Sequence, residues 1–133
     1  KGFRKYTGKK GKAEPDPDFA PMLAKRMTDQ RQISSEEITD RLFLGMLVEA
    51  TLILEEKIVR EPGDVDMGLI MGCGFPPFRG GILRWCDNEG AAKLVGKLEK
   101  YAHLGKRFHP SETLQRMAKS NEKFYPAPKV ATG

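Results

Sequence analysis

Apolar residues recur along most of this chain at helical three- and four-residue spacing, and the punctuation between them is legible. Phe19, Leu23 and Met27 fall four apart, which predicts a short helix with one buried stripe, starting near Asp16-Pro17 or at Pro21. Ser34 with Glu37 three residues on reads as a capping box, with Ile33 and Ile38 as its hydrophobic staple, so a helix is expected from 35 to about 59. Between residues 42 and 54 only Glu49 is charged. A helix apolar nearly all round belongs in the core of a domain or against a partner. Pro62 opens the next helix, with Asp64 and Asp66 in its first turn where the macrodipole favours negative charge, and Gly72 is the expected left-handed residue at its end. Residues 80–87 predict a short helix closed by Gly90. Ala91, Leu94, Val95, Leu98, Tyr101 and Ala102 trace a stripe ending at Gly105, and Ser111 starts a last helix bearing Leu114, Met117 and Ala118. No stretch alternates apolar and polar over strand length. The expected fold is therefore all-α, with about six helices packed around one long central helix over 38–58.

The least probable stretch is the connector Gly72-Cys73-Gly74-Phe75-Pro76-Pro77-Phe78-Arg79-Gly80-Gly81. Glycines permit positive φ or close approach, prolines fix φ, and a phenylalanine on each side offers a large apolar anchor. The expectation is a rigid turn with Phe75 and Phe78 both pinned to the core. It is not a dinucleotide fingerprint: that motif needs a preceding strand and a third glycine, and here Pro77 stands in its place after a helix.

Composition changes this picture in two places. The chain has 133 residues and a formal net charge of +5, but Lys1, Arg4, Lys5, Lys9, Lys10 and Lys12 crowd the first twelve positions with no acid among them. Removing those six leaves 17 basic against 18 acidic residues, so the fold itself is near neutral. Residues 1–17 read as a basic linker, 18–125 as a helical domain and 126–133 as a disordered tail. The linker is read as solvated and not as a nucleic-acid surface; a stand-alone binding module using it on nucleic acid is the alternative. Cys73 and Cys86 match no metal or redox spacing and read as small core hydrophobes. No apolar run approaches the roughly 20 residues of a membrane span. The chain opens on Lys1 and reads like part of something longer.

Candidate chemistry is sparse. Glu49 invites a catalytic reading, but no histidine or second acid accompanies it, so it is expected to be buried and to accept hydrogen bonds from a helix end or an arginine. Arg79 and Arg84 are candidates for an anionic group at the following helix, or for pairing with Asp64, Asp66 or Asp87. His103 and His109 fit surface or helix-end positions, and Lys93, Lys97 and Lys100 fall on one wet face.

The run from Asp64 to Ile70 followed by Gly-Cys-Gly-Phe-Pro-Pro-Phe-Arg-Gly-Gly-Ile-Leu-Arg-Trp resembles the last helical domain of the multifunctional fatty-acid β-oxidation enzymes. That resemblance covers about residues 1–125. It implies the C-terminal fold of the 3-hydroxyacyl-CoA dehydrogenases, which is 6-phosphogluconate dehydrogenase C-terminal-like. One departure is Glu55-Glu56-Lys57, where the family often has Glu-Glu-Gly. The family joins an enoyl-CoA hydratase to an NAD-dependent 3-hydroxyacyl-CoA dehydrogenase, whose chemistry needs a Rossmann domain and a His–Glu pair that match no position here. The resemblance thus implies an assembly role without catalytic residues. NAD and the CoA thioester would be bound elsewhere in a full-length enzyme, with Arg79 or Arg84 as possible contacts to a CoA phosphate or a neighbouring domain. Upstream helical, Rossmann and hydratase domains would be the partners. The same resemblance implies face-to-face packing of two helical domains, so a homodimer is expected of the isolated chain. The compartment would be the cytoplasm in a bacterium, or a mitochondrion or peroxisome in a eukaryote.

Overall fold

The computed structural model describes residues 3–7, 11–27 and 31–126. Among the described residues it is mostly helical, with six α-helices and one small two-stranded sheet, in agreement with an all-α class. Two compact units divide at residues 33 and 34, where a break had been expected between 17 and 18.

The first unit contains the largest departure from expectation. Part of the segment read as linker forms a hairpin, β1 (Arg4–Thr7) paired antiparallel with β2 (Lys12–Pro15). Lys5 stands opposite Glu14 and Tyr6 opposite Ala13 in its register. Almost every strand residue is exposed. With no face buried there is no hydrophobic alternation to see, and opposed charges contribute only a few tenths to about 1 kcal/mol per pair. The Phe3 ring meets Phe19 edge-on at 4.6 Å, and buried Asp16 accepts the Asp18 N–H at 3.0 Å beside Lys5. Helix α1 (Phe19–Ala24) follows, and none of its residues is buried. The stripe expected to be buried leaves Leu23 and Met27 nearly half exposed.

The second unit is built on α2 (Ser35–Glu55). Ser34 caps it, its Oγ accepting the Glu37 N–H at 3.1 Å, while the Glu37 carboxylate pairs with Arg41 one turn on. Ile33 and Ile38, the expected staple, are both nearly half exposed. Leu44, Leu47, Val48 and Thr51 form the buried face of α2 at three- and four-residue spacing. Against them pack α4 (Ile82–Glu89), α5 (Ala91–Tyr101) and α6 (Glu112–Ser120), which bring in Ile82, Leu83, Leu94, Leu98 and Leu114. Helix α3 (Pro62–Cys73) starts with Pro62 in its first turn and a reciprocal Glu61–Asp64 capping box, and packs against α2 and α4. Lys97 on α5 reaches Asp40 on α2 at 2.8 Å, so it bridges two helices and is not simply part of a wet face. The hydrogen bond that Lys97 donates to Asp40, against some desolvation, raises the Lys97 ammonium above its ordinary pKa.

The long helix is not buried all round. Leu42 is 61% exposed and Glu49 is exposed, so a band of α2 faces outward. The helix also ends earlier than the expected 59. Lys57 takes φ +56, the left-handed position, while its N–H bonds Leu54 and the Ile58 N–H reaches back to Ile53. This is a Schellman ending with lysine where glycine is favoured. The departure at Glu55-Glu56-Lys57 thus leaves the stop in place and adds strain. A left-handed non-glycine residue costs roughly 1–2 kcal/mol, partly offset in glycine by its larger unfolded-state entropy. Lys57→Gly should raise stability by about 0.5–1 kcal/mol in urea unfolding; a loss of stability would contradict this geometry.

Candidate functional site

The connector between α3 and α4 was expected to pin two phenylalanines, and these part company. Helix α3 runs through Gly72 to Cys73, and the left-handed residue is Gly74 at φ +69, not Gly72. Phe75 is 3% exposed and its ring lies 5.2 Å from Phe43, which meets Trp85 edge-on at 5.3 Å. Pro76 is followed by a single 3-10 turn, Pro77–Arg79, which swings Phe78 outward to 85% exposure. The expectation of two pinned rings fails for Phe78, which sits in the 3-10 turn and is left in solvent while Phe75 is buried. Gly80 closes the turn at φ +75.

Gly81 precedes α4 at φ +107, in the N-cap position where a Ser, Thr, Asp or Asn would ordinarily satisfy the first N–H groups. The capping group arrives from α3 instead. Asp66 Oδ1 accepts the Leu83 N–H at 2.8 Å, and Oδ2 accepts the Arg84 N–H at 3.1 Å. A methyl group on Gly81 would overlap the Asp66 side chain, so glycine is demanded by space as well as by φ. Asp66 Oδ2 also accepts the Tyr125 hydroxyl at 2.8 Å. Burial, then this hydrogen bond and the carboxylate charge, push the Tyr125 phenol well above its usual pKa. A second carboxylate, Asp87, accepts the Phe124 and Tyr125 N–H groups at 2.9 and 2.8 Å. A third, Glu55, accepts the Thr113 N–H at 2.6 Å beside the Ser111 cap of α6. Burial raises the Glu55 carboxyl, but the hydrogen bonds from Thr113 and Ser111 and the nearby Arg116 charge outweigh it and leave the pKa lowered.

These carboxylates were missed as a set. Asp66 had been placed in the first turn of α3 for its dipole, yet it is 3% exposed and its carboxylate caps the next helix. The available signal was the bare Gly81 at a helix start, which implies a capping group from elsewhere. Two helix N–H groups and a hydroxyl occupy three of the roughly four acceptor sites of a carboxylate, so Asp66 acts as a fastener between α3, α4 and Tyr125.

The remaining candidates disperse. Arg84 lays its guanidinium over the Tyr125 ring at 3.9 Å, and Arg79 lies 5.7 Å from both the Phe43 and Phe78 rings. Among the described residues neither arginine forms the ion pair expected with Asp64, Asp66 or Asp87. Glu49 is exposed, so the buried acceptor expected there is corrected; the carboxylate at a helix end is Glu55. Cys86 is buried, and desolvation with the Asp87 charge pushes its thiol up to about 12, whereas Cys73, expected in the core, is exposed. His103 and His109 are exposed, with His103 Nδ1 3.1 Å from the Lys100 carbonyl. A groove of about 610 Å³ lies between α2 and α3, floored by Gly45, Ala50 and Val65, with Arg41, Glu49, Asp64 and Arg107 at its margins. Among the described residues no helix is long and apolar enough to cross a membrane.

Such an arrangement defines a helical scaffold: interlocked helix ends, one connector anchored by Phe75, and an open apolar groove. By sequence the chain is similar to the C-terminal part of fatty acid oxidation complex alpha subunits. It is 41% identical over 128 residues to the subunit of Pseudomonas aeruginosa PAO1, covering 94% of this chain. To that of Acinetobacter baumannii AYE it is 43% identical over 129 residues, covering 93%. The Acinetobacter baylyi subunit is 41% identical over 128 residues. The chain spans 18% of the length of each of these relatives. No family model matches it.

Phe75 and Phe78 provide a paired test of the connector. Phe75→Ala should cost about 3–5 kcal/mol, the range for a buried aromatic. Phe78→Ala should stay within about 0.5 kcal/mol, as for an exposed side chain. Equal losses in thermal or chemical unfolding would contradict the outward turn.

Proposed function

We propose that this chain serves fatty-acid β-oxidation as the C-terminal assembly domain of a multifunctional enzyme that joins enoyl-CoA hydratase to NAD-dependent 3-hydroxyacyl-CoA dehydrogenase. The observation carrying this reading is the 41% identity over 94% of the chain to a fatty acid oxidation complex alpha subunit. The site chemistry agrees with a supporting role. Its buried carboxylates, Asp66 and Asp87, are engaged in holding backbone N–H groups, and its arginines Arg79 and Arg84 lie over aromatic rings. In this reading the nicotinamide cofactor and the CoA thioester occupy upstream domains of a longer chain, and this domain braces the dehydrogenase without touching the reacting atoms. The named relatives are bacterial, and a cytoplasmic location is part of this proposal.

A chimera tests it. In the Pseudomonas aeruginosa relative, this chain replaces the C-terminal segment it matches, and NAD-dependent oxidation of a 3-hydroxyacyl-CoA is measured. The chimera should retain activity, while deletion of the segment should lower kcat/KM by about tenfold or more, equivalent to about 1.4 kcal/mol. Deletion and chimera of equal, undiminished activity would overturn the proposal, as would turnover by the isolated chain.

A further inference from the structure

A polar hollow of about 320 Å³ opens where the start of α2, the connector, α4 and α5 meet. That volume is at the small end of the range for ligand sites. Trp85 lines the hollow from α4, and its side chain has a donor that the fold does not use. The residue is 8% exposed, and its indole N–H has no acceptor among the described residues. No fully buried side-chain polar atom among them lacks a partner, so this N–H is not sealed inside the core and is left to the hollow. An indole N–H donates and cannot accept, so the group it lacks is an acceptor.

Arg79 lines the same hollow from the connector. The Phe43 and Phe78 rings steady its guanidinium at 5.7 Å, within cation–π range, and leave its N–H fork uncommitted. It joins no ion pair among the described residues. The other charges around the hollow have partners. Lys97 holds Asp40 at 2.8 Å and Glu36 at 3.4 Å, and Lys93 holds Glu89 at 2.5 Å. We propose that this hollow binds a small monocarboxylate with an apolar body. The carboxylate accepts hydrogen bonds from the Arg79 fork and the Trp85 N–H, and the body rests beside the exposed Phe78 ring.

Charge decides among ligand classes. One carboxylate neutralises the one uncommitted cation of the lining and supplies the acceptor that Trp85 lacks. A phosphate dianion or a nucleic acid would carry surplus negative charge against Glu36, Asp40 and Glu89. An amine would meet Arg79 as a like charge and leave the Trp85 N–H unpaired. The inference stands on the chemistry of the hollow and does not depend on the β-oxidation reading.

Trp85 is the only tryptophan in the chain, so its indole N–H gives one isolated cross-peak in a proton–nitrogen correlation spectrum. The test titrates the whole chain with benzoate, with benzamide as the neutral isostere and phenyl phosphate as the dianion. Benzoate should shift the indole peak saturably, with a Kd of about 1 mM or below. Benzamide and phenyl phosphate should each bind more weakly by about tenfold or more. Arg79→Ala should weaken benzoate binding by about tenfold or more, and Arg79→Lys, which keeps the charge without the fork, should restore part of it. Arg79 is exposed, so the thermal unfolding of both variants should stay near that of the parent. An indole peak unmoved by benzoate at about 50 mM would overturn the proposal. So would benzamide or phenyl phosphate binding as well as benzoate, or an Arg79→Ala chain that binds benzoate as the parent does.

Discussion

The first N–H groups of α4 have no partner within their own helix, and the way they are satisfied sets the arrangement of the second unit. Asp66 reaches them from α3, bonding Leu83 and Arg84, and holds the Tyr125 hydroxyl with the same carboxylate. Burying a carboxylate costs several kcal/mol. Hydrogen bonds to a charged group return about 1.5–3 kcal/mol each, so three of them are what makes a buried Asp66 tolerable. The demand propagates outward. Gly81 must lack a side chain to admit Asp66, the Gly74–Gly80 turn must deliver Gly81 to that spot, and the chain at 124–125 must return to cover it through Asp87.

Among the described residues no buried side-chain polar atom lacks a hydrogen-bond partner, so the domain's interior polar groups are committed to structure. The unmet chemistry lies outside, on the exposed band of α2 and the groove beside α3. The proposed assembly role rests on this combination of a saturated interior and an open apolar face.

Much of the fold was legible because its stops and starts are local. Ser34 and Ser111 bond their own helix N–H groups, Pro62 sits in a first turn, and Gly90 lies between two helices at φ +90. Such interactions span three or four residues and leave a mark in the sequence. What escaped depends on distance or on absence. Asp66 acts 17 and 18 residues away, Glu55 acts 58 away, and Asp87 37 and 38 away, so none is visible as spacing. The hairpin buries no face and so leaves no alternation. Phe75 and Phe78 are the same residue type three apart, and only the 3-10 turn between them decides which is buried. The open side of α2 was hidden by its composition, since leucine and isoleucine in a long helix read as core wherever they point.

Native-state hydrogen exchange at the Leu83 and Arg84 amides addresses the Asp66 fastening directly. Second and third residues of a helix ordinarily exchange fast, because they have no intrahelical acceptor. If Asp66 holds them as described, both amides should exchange only as slowly as those of the core residues Leu94 and Leu98, by global unfolding. Exchange at the fast rate of a frayed helix start, with Leu94 and Leu98 still protected, would contradict the account.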